Sequence, residues 1–156
     1  MVNKKADLIN QRFVHIRLSV IWVAIASTQF GFHLAATMWK RRDLFYPFDL
    51  LLWGFIGIFW LFRVRGILVG LIFNVPPERA GKAKRSAFSL LAYTLCTGIV
   101  SLSFAVGFLA AISFGRLYVI AAVVLATLMG GMILLTIRMA KRLTGWFLQN
   151  TNEILV

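Results

Sequence analysis

The side chains that can do chemistry are few, and they lie in or beside hydrophobic segments. Gln29, His33 and Thr37 are four residues apart, so a helix would place them on one polar ridge. Polar and ionisable groups in a membrane are costly and are functional candidates by default. We favour hydrogen bonding between helices as their role; the alternative is an outward-facing polar pocket in which Asp49 pairs with Arg116 or His33. The candidate pocket residues are Gln29, His33, Thr37, Asp49, Arg116 and Tyr118.

The chain has five acids and two histidines, and their positions exclude several kinds of chemistry. None of the acids falls at the centre of a hydrophobic segment, which argues against a proton-coupled exporter. His15 and His33 are 18 positions apart, about 27 Å along a helix, so they cannot ligate one haem iron. Cys96 is the single cysteine, which excludes an internal disulfide or a multi-cysteine metal site. We therefore predict that the protein is not an enzyme and has no catalytic residue, metal or cofactor.

The composition places the chain in a membrane. Its 156 residues are 60% hydrophobic and 14% charged, whereas soluble domains are about 45–50% apolar and about 25% charged. A chain of this size cannot bury so much apolar surface as a water-soluble globule. The net charge of +12 does not indicate nucleic-acid binding, because disordered basic chains are poor in large apolar residues. We predict an all-α integral membrane protein.

The hydrophobic segments divide into four candidate spans. A helix needs about 20 apolar residues to cross the roughly 30 Å hydrocarbon core. Gly115 and Arg116 alone separate the third and fourth segments, which predicts that these helices form a tight antiparallel hairpin. The expected fold is a four-transmembrane-helix bundle that forms a single membrane domain over 1–156. The predicted spans are residues 18–39, 44–62 with an extension to 73, 87–114 and 117–137, with a cytoplasmic loop over 74–86.

The second span carries three charges, Asp49, Arg63 and Arg65. The apolar run between them is too short to cross, whereas residues 44–62 reach across if Pro47 lies in the first turn of the helix. The extension would continue the helix or bend along the membrane surface, and a three-span topology is the alternative. Aromatic residues crowd this span, and we expect the central ones to face lipid or partners and not a cofactor.

Basic residues predict the orientation. Thirteen of the 17 lysines and arginines fall before the first span, between the second and third, or after the fourth. The positive-inside rule therefore places both termini in the cytoplasm, with the chain in the cell inner, or plasma, membrane. The cluster of Lys40, Arg41 and Arg42 is the exception, because it faces outward in this topology.

Small residues spaced four apart predict how the helices pack. Lipid tails are as apolar as leucine, so helices in a membrane associate through close packing. We expect packing within the chain, above all of the third helix on the fourth; the alternative is a homo-oligomer face, for which the first helix is the best candidate. The rows are Ser27, Gly31 and Ala35 on the first helix, Ser103, Gly107 and Ala111 on the third, and Ala122, Ala126 and Gly130 on the fourth.

Short loops and the lack of a catalytic set favour a non-enzymatic accessory or interaction subunit of a membrane assembly. The alternative is a homo-oligomeric channel or carrier for a small solute, with the polar ridge lining its path. The expected partners are the lipid bilayer and other membrane subunits or a second copy of the chain, not nucleic acid. Basic residues near the loop are expected to contact anionic lipid head groups or an acidic partner. These residues are Arg63, Arg65, Arg79, Lys82, Lys84 and Arg85.

Overall fold

The protein is all-helical in a computed structural model that describes residues 2–40 and 47–150. Four helices are long and apolar enough to cross a membrane, which confirms the prediction of an all-α chain with four candidate spans. Arg41, Arg42 and the predicted start of the second span at residues 44–46 lie outside the described residues. The helices are α1 (Val2–Met38), α2 (Pro47–Ile72), α3 (Pro77–Phe114) and α4 (Leu117–Asn150).

All four helices are longer than the hydrocarbon core is thick. The 38 residues of α3 extend about 57 Å at 1.5 Å per residue, against about 30 Å of hydrocarbon. α1 begins at Val2, well before the predicted span, and α4 continues to Asn150. The helices therefore extend beyond their charge-free segments, mainly at the ends that carry most of the basic residues.

The predicted loop over 74–86 is wrong for most of its length. α3 begins at Pro77, because a proline in the first turn loses no hydrogen bond and has φ preset for a helix. α2 continues as one helix to Ile72. The Asn74 side chain then donates a 2.7 Å hydrogen bond to the Gly70 carbonyl oxygen. The basic residues of this segment consequently lie on a helix and not on a linker.

α1 and α3 form the central pair of the bundle. α2 packs against α1, α4 packs against α3, and the two outer helices contact each other least. The three buried residues of α2 are Val64, Leu68 and Leu71, so its apolar part over 47–62 contributes no fully buried side chain. In cross-section the helices form a rhombus in which α2 and α4 occupy the distant corners.

One end of the bundle, which we call the basic end, contains the start of α1, the end of α2, the start of α3 and the end of α4. Core residues there recur at intervals of three and four, a pattern typical of helices that pack in water. Basic residues lie exposed or half-buried around this core. The core residues are Ile9, Phe13 and Ile16 on α1, Val64, Leu68 and Leu71 on α2, Ala83, Ala87 and Leu90 on α3, and Ala140, Leu143 and Phe147 on α4.

Away from the basic end, small and hydroxylated side chains replace the large apolar ones in the helix contacts. Thr94, Thr97 and Ser101 are fully buried on α3. The hydroxyl oxygens of Thr97 and Thr136 lie 3.0 Å apart, which connects α3 to α4. Each of these two threonines also lies within hydrogen-bond distance of the carbonyl four residues earlier in its own helix. The threonine hydroxyls are thereby satisfied without water, as a membrane interior requires, whereas the buried Ser101 hydroxyl oxygen has no hydrogen-bond partner among the described residues.

The turn between α3 and α4 depends on Gly115. Its φ of +95° is a conformation that L-residues rarely adopt and that glycine adopts freely. Its N–H donates a 3.2 Å hydrogen bond to the Ala111 carbonyl oxygen, which closes the last turn of α3. α4 begins two residues later, so the connection is as short as the sequence predicts.

Candidate functional site

The polar ridge of α1 divides between two environments. Gln29 and Thr37 are exposed, whereas His33 is 8% exposed. The Thr37 hydroxyl donates a 2.8 Å hydrogen bond to the His33 carbonyl oxygen, so it is satisfied within α1. The His33 Nδ1 atom is buried without a hydrogen-bond partner among the described residues, and its ring packs edge-on against Phe32. The ridge therefore supplies one buried side chain and two outward-facing ones.

The other candidate pocket residues do not join this histidine. Asp49 is half-buried near the start of α2, and within the described part of the chain it has no ion pair with Arg116 or His33. Arg116 is exposed in the turn after α3. The Tyr118 ring packs beside Phe114, with 5.9 Å between ring centroids. The structure therefore does not gather the six predicted residues into one pocket.

The small residues of α1 pack against α3 of the same chain. A Cβ atom on Gly31 would lie 2.7 Å from the Leu102 carbonyl oxygen, so the backbones approach too closely for a side chain at this position. One on Gly98 would lie 3.0 Å from the Ser27 hydroxyl oxygen. Ala35, the third member of the row, is fully buried. α3 covers this row, so a second copy of the chain cannot use it as a homo-oligomer face.

The rows on α3 and α4 meet over part of their length. A Cβ atom on Gly107 would lie 2.9 Å from the end of the Leu125 side chain, and Ala122 is buried. At Gly130 an added Cβ would meet nothing within 4 Å. Of the other members, Ser103 is half-buried, and Ala111 and Ala126 line a hollow of about 400 Å³ between α3 and α4.

The predicted head-group residues lie on the outside of the basic end. The Arg63 guanidinium lies over the Trp60 ring, 4.9 Å from its centroid, which is a cation–π contact. Trp60 in turn stacks on Trp22 of α1, with 5.8 Å between ring centroids. Arg79 donates a hydrogen bond to the side-chain oxygen of Asn150, which connects the start of α3 to the end of α4. The remaining residues, Arg65, Lys82, Lys84 and Arg85, are exposed.

A lateral cleft of about 320 Å³ lies between α1, α2 and α3 in the apolar part of the bundle. Small residues make room for it. A Cβ atom on Gly54 would already stand 3.3 Å from Phe30, and one on Gly57 would stand 3.5 Å from Ala26. The lining residues are Val23, Ala26, Ser27 and Phe30 on α1, Trp53, Gly54, Gly57, Ile58 and Leu61 on α2, and Leu95, Gly98, Ile99 and Leu102 on α3.

The cleft suits hydrocarbon better than a polar substrate. Of its 13 described lining residues, Ser27 and Trp53 alone carry polar side-chain atoms. It was not predicted from the sequence, although Gly54, Gly57 and Gly98 were an available signal outside the predicted rows of small residues. The arrangement can bind an apolar group, and it has no acid–base pair for catalysis. Comparison of the chain with protein-family models, curated proteins and solved structures found no match.

Proposed function

We propose that the protein is a non-enzymatic accessory subunit of a membrane assembly and that it contacts its partner through the outer face of α2. A stripe of four phenylalanines carries the proposal. Phe48, Phe55, Phe59 and Phe62 follow one another at intervals of seven, four and three residues, so they share one face of the helix. Each is at least 59% exposed. The stripe extends about 21 Å along the axis, which covers most of the hydrocarbon thickness.

The packing of the chain does not use this stripe. The buried residues of α2 all follow residue 62, so the fold would be satisfied by any apolar side chains along the outer face. Leucine meets lipid tails as well as phenylalanine does. Aromatic residues, in contrast, are enriched in the buried centres of protein interfaces. A line of exposed phenylalanines therefore favours contact with another membrane helix over contact with lipid alone.

The proposed setting is the cell inner membrane, with both termini and the basic end in the cytoplasm. In this orientation α3 and α4 cross as an antiparallel hairpin whose turn faces outward. The support is the concentration of basic residues around the basic end, whereas the described part of the opposite end has Lys40 and Arg116.

The alternative of a homo-oligomeric channel or carrier has less support. Its expected path was the polar ridge of α1, but Gln29 and Thr37 are exposed and the Thr37 hydroxyl is bonded within its own helix. The lateral cleft is apolar and offers no polar path to a solute.

Photocrosslinking in native membranes tests the accessory role. A photoreactive phenylalanine analogue at Phe55 or Phe59 is expected to capture one membrane protein, identified by mass spectrometry. The same protein should co-purify with the wild-type chain and be lost from a variant that combines Phe55→Leu and Phe59→Leu.

Val124 and Leu128 are matched control positions on α4, because both are 52% exposed and apolar. Crosslinking there should be limited to lipid. Capture of the same proteins from both helices, or of lipid alone from α2, would contradict the proposal. Crosslinks between two copies of the chain would favour the homo-oligomer instead.

A further inference from the structure

We propose that the lateral cleft between α1, α2 and α3 binds one acyl chain of an anionic phospholipid, whose phosphate pairs with Arg65. This site is separate from the phenylalanine stripe, which lies about a third of a turn away around α2. The proposal does not rest on the accessory role, since a bound lipid requires only that the bundle lie in a bilayer.

The depth of the cleft matches one leaflet of a membrane. Its lining on α2 runs from Trp53 to Leu61, about 12 Å along the helix axis, and the hydrocarbon of one leaflet is about 15 Å thick. Leu61 is the lining residue nearest the basic end, and the charge-free run of α2 ends two residues later at Arg63. The cleft therefore begins just inside the interface and ends near the bilayer centre. An acyl chain has this reach, whereas a transmembrane partner would occupy both leaflets.

The cleft opens sideways between α2 and α3, where lipid tails are its natural neighbours. Ile99 and Leu95 on its α3 side are 64% and 45% exposed, so they form a rim and not a sealed wall. α2 and α3 make few contacts with each other, which leaves the opening between them. The inner wall contains Gly57, which leaves space beside α1 that a larger side chain would fill.

Positive charge stands at the mouth of the cleft. Arg65 follows Leu61 by four residues, so it lies one turn toward the basic end on the same face of α2. Arg63 precedes Arg65 by two residues and therefore lies on the other side of α2, over the Trp60 ring. In the described part of the chain Arg65 has no ion pair, so its guanidinium group is available to a phosphate. Guanidinium groups bind phosphate oxygens with paired hydrogen bonds, and basic pockets beside transmembrane helices bind anionic head groups.

Native mass spectrometry of the full-length protein in detergent micelles tests the site. The probes are phosphatidylglycerol and phosphatidylcholine with identical palmitoyl and oleoyl chains. The wild-type protein is expected to retain one phosphatidylglycerol in preference to phosphatidylcholine. Arg65→Gln should weaken phosphatidylglycerol retention about fivefold, the effect expected for one cation at a membrane surface. Arg142→Gln removes an exposed charge from α4 and should leave retention unchanged.

Ile99→Trp tests the acyl-chain part of the site. The indole would fill the cleft from its exposed rim, and retention of the lipid should be lost while the helical circular-dichroism signal is kept. Leu128→Trp places the same side chain on the outer surface of α4 and should retain the lipid.

Three results would overturn the proposal: equal retention of the two lipids by the wild type, unchanged retention in Ile99→Trp, or equal losses in Arg65→Gln and Arg142→Gln. A photoreactive residue at Ile99 supplies a fourth. If it captures a polypeptide in native membranes in place of lipid, the cleft belongs to a partner helix.

Discussion

At the scale of single residues, glycines hold α3 near its neighbours, but different atoms limit the approach at each one. A Cβ atom on Gly31 would meet a backbone oxygen of Leu102, which cannot move without moving α3. At Gly107 the atom would meet the end of the Leu125 side chain, which can adopt another rotamer. At Gly130 the space is open. Packing therefore requires glycine at position 31, favours glycine at position 107 and permits its replacement at position 130.

Gly31→Ala should lower the free energy of unfolding by about 1–3 kcal/mol, because the added carbon overpacks the α1–α3 contact. Gly130→Ala should be neutral or raise it by up to about 1 kcal/mol, since alanine has the higher helix propensity. Thermal unfolding in detergent micelles, followed by circular dichroism, compares the two variants with the wild type. A Gly31→Ala midpoint equal to that of the wild type would contradict the close approach of α1 and α3.

At the scale of the helices, α1, α3 and α4 each combine two kinds of packing. The parts at the basic end bury large apolar residues at intervals of three and four, where water outside the core supplies a hydrophobic driving force. The charge-free parts of these helices bury mainly glycine, alanine, serine and threonine, because lipid supplies no such force and close backbone contact must replace it. Each of these helices thus continues without interruption from a part that packs large apolar residues to a part that packs small ones.

Phe13→Ala tests the core of the basic end. The Phe13 ring is fully buried beside that of Phe147, with 5.8 Å between ring centroids, so its removal should cost about 3–5 kcal/mol in the free energy of unfolding. Val14→Ala is the matched control, since Val14 is exposed at the next position of α1 and its truncation should change stability by less than about 0.5 kcal/mol. Similar unfolding midpoints for both variants would contradict a packed core at the basic end.

At the scale of the whole molecule, the charge distribution predicts how the bundle lies in its membrane. Lys82 at the basic end and Arg116 at the other end are both exposed and lie on opposite sides of the charge-free part of α3. The positive-inside rule places Lys82 in the cytoplasm and Arg116 outside. The side of the membrane on which each of these two residues lies therefore reports the orientation of the whole bundle.

Cysteine labelling measures this orientation in a Cys96→Ser background. A membrane-impermeant maleimide should label Arg116→Cys in right-side-out vesicles and Lys82→Cys in inside-out vesicles. Lys82→Cys in right-side-out vesicles and Arg116→Cys in inside-out vesicles should stay unlabelled, which controls for leaky vesicles. Labelling of both variants from the same side would contradict a membrane-crossing α3, and exchange of the two patterns would reverse the proposed topology.

The number of helices could be predicted from the sequence, but their limits could not. Each crossing depends on about 20 apolar residues in one segment, which hydropathy detects locally. The start of α1 and the end of α4 mix basic residues with core residues such as Phe13 and Phe147, so hydropathy alone did not extend the spans into them. Pro77 falls within the loop predicted from the sequence, although a proline is equally compatible with the first turn of a helix.

The candidate pocket shows where prediction from residue types ends. Helical spacing put Gln29, His33 and Thr37 on one ridge, but it could not say that the middle residue alone would be buried. The cleft shows the same limit, since Gly57 and Gly98 belong to different helices whose relative register is not local information.

The membrane setting, the four apolar helices and the separation of charge between the ends can be read from the sequence, because each follows from the solvent preference of single segments. The core of the basic end, the covering of the α1 row by α3 and the lateral cleft are visible only in the folded bundle. These features depend on which residues of distant segments lie at the same level, and that register is set by close packing between helices.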